Sequence, residues 1–148
     1  MTLKQLVALV LVLSFSSAAW GDHKNDETLQ GSWLPSAAEL GGQQFPDDVR
    51  KSTKLVVKDD KYTVTVGAKI DKGTVKLNPS AKQKTLDITG TDGPNKGKTI
   101  LAIYEHKGDT LRICYDLSGK SRPTEFKTKE STQLFLVTYK RVMEDKKR

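Results

Sequence analysis

The sequence predicts an all-β fold, an eight-stranded antiparallel up-and-down β-barrel with one short helical turn. Three observations carry this expectation. Short runs rich in Val, Ile, Leu, Thr and Tyr recur along the chain, each bounded by Gly, Pro, Asn or Asp, the pattern of strands joined by tight turns. Helical periodicity is almost absent. Consecutive hairpins and a strong final strand favour a meander whose last strand pairs with the first, a closure that leaves no sheet edge exposed. The 148 residues, 36% hydrophobic and 29% charged, allow one core of ordinary size and exclude a multidomain enzyme.

The N-terminal segment stands apart from the barrel. Lys4, the apolar run from Leu6 to Leu13, and the small residues Ser14, Ser16, Ser17, Ala18 and Ala19 read as a cleaved secretory signal peptide. The apolar run is well short of the ~20 residues needed to span a bilayer. Cleavage fits after Ala19 or after Gly21. The second is preferred, making residues 1–21 the signal peptide and leaving 127 residues of net charge +6. A periplasmic or extracellular protein is expected, and no later segment is apolar enough to cross a membrane. Residues 22–28 form a polar leader, 29–141 the barrel and 142–148 a charged tail.

The strands follow in order. Leu29 to Leu34 is the first, with Pro35 ending it, and the stretch from Ser36 to Lys51 is read as a loop with one helical turn near Pro46. Thr53 to Lys58 and Tyr62 to Val66 make a hairpin. In its second strand Tyr62, Val64 and Val66 alternate with Thr63 and Thr65, so one face is buried and the other polar. Gly73 to Leu77 and Thr85 to Thr89 come next, followed by the Gly-, Pro- and Asn-rich turn from Thr91 to Lys98. Thr99 to Glu105 is apolar on both faces and turns at Lys107-Gly108-Asp109 into Thr110 to Tyr115. After a loop around Ser118 to Pro123, the last strand runs from Thr132 to about Arg141.

The residues offer little catalytic chemistry. His23 and His106 are the two histidines and Cys114 is the one cysteine, so the chain forms no internal disulfide, and no spacing suits a zinc site. No metal or cofactor is implied. A copper or nickel site at Gly21-Asp22-His23 requires cleavage after Trp20, which signal peptidase disfavours. Cys114 reads as a small buried hydrophobe, and His106 as an exposed turn residue. Asp92 is expected to bond to the backbone of its turn, and Asp87 and Glu105 to pair with lysines. Arg122 and Glu125, flanking Pro123, are expected to brace the loop into the last strand, with ligand recognition at a barrel mouth as the other reading. The lysines are spread along the chain, which suits a solvated surface; nucleic acid is not an expected partner, and an anionic envelope component is the minority reading, since net charge alone supports only non-specific binding. A monomer is expected.

Gly31-x-Trp33 on the first strand, with Arg141 near the end of the last, resembles the signature of the lipocalin-like superfamily, in which the Trp packs at the closed end of the barrel beneath an Arg. A guanidinium over an indole face is worth about 0.5 to 2 kcal/mol. The wider order of Leu29-Gln30-Gly31-Ser32-Trp33, Thr91 to Thr99, Ile103-Tyr104-Glu105, Gly108 to Leu111 and Arg122-Pro123-Thr124-Glu125-Phe126 resembles the small exported lipocalin-like domains of planctomycete-type bacteria. The resemblance covers residues 29 to 141. It implies a lipocalin-like barrel and an exported location, and no catalytic or ligand residue.

Two functions remain open. One is a non-enzymatic binding protein whose interior, lined by Trp33, Tyr62, Val64, Leu86, Ile103, Leu111, Ile113 and Leu136, accepts a small apolar molecule. The other is a structural or interaction module in which the same residues fill a solid core and the basic surface contacts envelope components. The short strands imply a shallow barrel, and Val, Ile and Leu fill such an interior readily.

Overall fold

The computed structural model describes residues 29–143. The expected signal peptide, the leader, His23 and most of the tail lie outside them. The described elements are β1 (Gly31–Leu40), β2 (Gln43–Gln44), α1 (Asp47–Lys51), β3 (Thr53–Lys58), β4 (Lys61–Val66), β5 (Lys69–Asn78), β6 (Thr85–Asp92), β7 (Thr99–Lys107), β8 (Thr110–Asp116) and β9 (Leu134–Arg141). Eight of the strands pair antiparallel with their neighbours, and β9 returns to β1 to close an eight-stranded barrel. β2 is a two-residue addition to the edge of β1. No helix among the described residues is long and apolar enough to cross a membrane.

Pro35 does not end the first strand. β1 pairs with β3 only from Gly31 to Trp33, then continues against β9 to Leu40, with a register shift between Pro35 and Ala37. Pro35 therefore sits where β1 has left β3, at a bulge, and a residue without an N–H is tolerated there. Because β1 and β3 part so early, the barrel wall splits toward one end. α1 bridges that split, and Arg50 on it donates to the Pro35 carbonyl at 3.3 Å.

The opposite end is closed. Trp33 is completely buried, its Nε1 donates to the Leu29 carbonyl at 3.0 Å, and the Arg141 guanidinium lies 4.2 Å from the ring centroid. Arg141 also donates to the Gln30 carbonyl and faces Asp109 at 3.4 Å. Gly31 makes this approach possible: its φ is +119°, and a Cβ there would stand 3.3 Å from the Arg141 Nη1. The spacing of Gly31, Trp33 and Arg141 thus has a steric reason. His106 differs from the exposed residue expected, for its ring meets Trp33 edge-on at 5.9 Å, because it pairs with inward-facing Leu111 on β8.

Above this plug Leu55, Val57, Val75, Leu86, Leu111 and Ile113 pack from successive strands, leaving a void of about 30 Å³. This half of the barrel is a filled core.

The connection from Leu117 to Gln133 lies across the outer face. Arg122 pairs with Asp87 at 2.6 Å and donates to the Ala102 carbonyl at 2.8 Å, while Arg112 pairs with Glu105 at 2.9 Å and lies 4.4 Å from the Phe126 ring. These pairings correct two expectations. Asp87 and Glu105 are held by arginines rather than lysines, and Arg122 braces the connection through Asp87 while Glu125 is exposed. The Cys114 thiol, buried and free, donates to the Lys127 carbonyl at 3.6 Å.

Candidate functional site

A cavity of about 330 Å³ occupies the split end of the barrel. One wall carries Tyr115 from β8 and Phe135, Val137 and Tyr139 from β9, and the facing wall carries Tyr62, Val64 and Val66 from β4 with Ile88 from β6. Phe45, between β2 and α1, stacks on Phe135 with centroids 5.0 Å apart, and Tyr115 stacks on the same ring at 5.8 Å. Arg50, Thr53, Lys69, Ile70, Pro94 and Asn95 stand at the rim. The volume is at the lower end of the roughly 300 to 1,000 Å³ typical of small-molecule sites, and the mixture of apolar walls and few polar groups is also typical.

The polar groups are organised by Asp71. Its carboxylate accepts from the Tyr62 hydroxyl at 2.9 Å, the Asn95 backbone N–H at 3.1 Å and the Asn95 Nδ2 at 2.8 Å. The turn is therefore tied down by Asp71 on β5, across from it, and not by Asp92 within it. Gly93, at φ +93°, lets the turn pass close to Ile70 and Asp71, where a Cβ would come within 2.4 Å of the Ile70 carbonyl oxygen.

The tyrosines are held neutral. Burial, then the adjacent Asp71 carboxylate, pushes the Tyr62 phenol upward. Burial, then the neighbouring Tyr139, raises Tyr115 well above its usual range. Burial carries Tyr139 up to about 12. A phenol whose folded value lies above its unfolded value of about 10 contributes stability that is complete below pH 10 and declines as pH rises toward the folded value. The urea midpoint is therefore expected to hold steady below about pH 10 and then fall toward pH 12, tyrosinate absorbance rising in step with unfolding. Full tyrosinate absorbance from protein still folded at pH 11 would contradict this burial.

The structure brings some of the expected interior residues together and separates others. Tyr62 and Val64 line the cavity, Leu86, Leu111 and Ile113 belong to the filled half below it, and Trp33 closes the far end. Ile103 and Leu136 do not line the interior. Ile103 pairs with Cys114 and Cys114 with Leu136, a row that alternates with the inward row of Ala102, Tyr115 and Phe135, so all three point outward. Ile103 is buried nonetheless. The residues that sequence reasoning missed are Phe45, Ile88, Tyr115, Phe135, Val137 and Tyr139. Phe135, Val137 and Tyr139 do alternate, but Leu134 and Leu136 beside them offer an equally apolar pattern of the other parity.

Among the described residues no three His, Cys, Asp or Glu side chains converge in a metal-binding group. No protein-family model matches the chain, and neither a curated protein nor a solved structure matches it.

Proposed function

We propose that this is an exported, non-enzymatic barrel of the lipocalin-like kind, which binds one small apolar molecule in the cavity opposite Trp33. The observation that carries this reading is the division of the interior. One half is filled to within about 30 Å³, while the other holds about 330 Å³ behind apolar and aromatic walls. A barrel serving only as a scaffold has no need of that space, since overlooked voids forfeit packing contacts. The polar groups at hand, Tyr62, Asp71 and Asn95, are already hydrogen-bonded to one another. An apolar occupant thus meets few polar groups it must leave unpaired.

Native mass spectrometry of the protein purified from its own envelope or medium tests this. The expected result is a one-to-one adduct that denaturation releases. A bare chain that also fails to take up the neutral apolar dye phenylnaphthylamine would overturn it. The second reading, an interaction module meeting anionic envelope components, draws on the net charge of +6 that remains once the expected signal peptide is removed. Its sign is a bare chain that is retained on anionic polymers at low salt.

A further inference from the structure

Three features of the cavity narrow the chemistry of its occupant. The first is its shape. The core beneath it is filled, the residual void there being about 30 Å³, so no channel leads onward for a long alkyl chain. A compact body is required. The second is the wall of aromatic rings, in which Phe45, Phe135 and Tyr115 stand at interplanar angles of 29° and 25°. Near-parallel rings offer planar surfaces and edges to another ring, an arrangement that aromatic pairs favour beyond the area they bury. A rigid planar ligand also loses little conformational freedom on entering.

The third feature is charge. The charged residues lining the cavity are Arg50, Lys69 and Asp71. Asp71 keeps its negative charge, but its carboxylate oxygens already accept three hydrogen bonds, from Tyr62 and Asn95, which hold it against the wall and turn it from the rim cations. Arg50, 24% exposed, donates to the Pro35 carbonyl at 3.3 Å and is paired at 3.2 Å with Asp47, whose side chain is 77% exposed; a pair with so exposed a carboxylate is weak and gives way to a better-placed anion. Lys69 is exposed at the rim. The rim therefore presents two cations, and the one carboxylate on the lining is occupied.

We propose, building on the ligand-binding function above, that the cavity takes a compact planar aromatic anion, its ring beside Phe135 and Tyr115 and its negative group at the rim beside Arg50 and Lys69. Aromatic carboxylates and sulfonates are the chemical class. Salt weakens the charged contact and leaves the apolar one, so the preference for the anion is greatest at low ionic strength.

The test compares two fluorescent probes that share one ring system, neutral phenylnaphthylamine and its sulfonate, anilinonaphthalene sulfonate, titrated into the purified protein. Both are expected to bind one per chain, with the sulfonate about tenfold tighter, a difference of about 1.4 kcal/mol. In Lys69→Gln that ratio is expected to shrink to about twofold, and in Lys69→Glu to reach about one or below. Dodecanoate at the same concentration is expected to displace neither probe. Equal affinity for the two probes, an unchanged ratio in both variants, or displacement by dodecanoate would each overturn the aromatic-anion assignment while leaving the ligand-binding function intact. Failure of both probes to bind, together with a bare chain in native mass spectrometry, would overturn that function itself. Lys69 is exposed at the start of β5, so these variants test charge without disturbing the core.

Discussion

Trp33→Ala is expected to destabilise the barrel by about 3 to 5 kcal/mol, the usual cost of truncating a large core aromatic. Three losses combine at this position. The indole is fully buried, so its removal leaves a hollow at the closed end that the surrounding strands fill only in part. The Leu29 carbonyl loses the donor at 3.0 Å that satisfies it. Arg141 loses the ring 4.2 Å beneath its guanidinium, which the Gly31 backbone was shaped to let it reach. Urea unfolding of the variant against the parent measures the sum. Trp33→Phe, which retains a ring and gives up the N–H, is expected to lose less. A loss below about 1 kcal/mol for the alanine variant would show that Trp33 does not plug the barrel.

The strands were legible because their ends are chemically marked. Gly67, Gly93, Gly97 and Gly108 all adopt positive φ, and such residues announce turns whatever the tertiary context. The strands that start at Thr99 and Thr110 each begin two residues after one of these glycines. Pro35 misled because its effect depends on the neighbouring strand, and only the three-dimensional path shows that β3 has already departed there. Ile103 and Leu136 misled for a related reason. Periodicity distinguishes a buried face from a solvated one, and here the outer face is itself covered in part by the connection from Leu117 to Gln133, so β7 is apolar on both sides. The partner choices were the least legible. Arg122 finds Asp87 and Asp71 finds Asn95 across long stretches of chain, and a charge in a sequence carries no mark of which distant partner the register will deliver. The cavity lay beyond reach for the same reason, since it exists only because β1 and β3 separate.

Gly73→Ala is expected to destabilise the protein by about 3 kcal/mol, at the upper end of the usual cost of overpacking. Gly73 lies beside the register shift of β5 against β6 and faces inward opposite Tyr62 and Gly90. A Cβ there would stand 2.0 Å from the Thr89 carbonyl oxygen and 2.7 Å from the Tyr62 ring. The first contact is with backbone, so no rotamer change relieves it and β5 and β6 must move apart. The second pushes against Tyr62, whose hydroxyl anchors Asp71 and, through it, the Asn95 turn at the rim. Stability and ligand capture are therefore expected to fall together, with weaker phenylnaphthylamine uptake even where the variant remains folded. Gly67→Ala is the control. Gly67 has φ +60° and nothing within 4 Å of the added atom, so its cost is the left-handed backbone term alone, about 1 to 2 kcal/mol. If Gly73→Ala costs no more than Gly67→Ala and leaves dye uptake unchanged, the close approach of β5 to β6 does not govern the cavity wall.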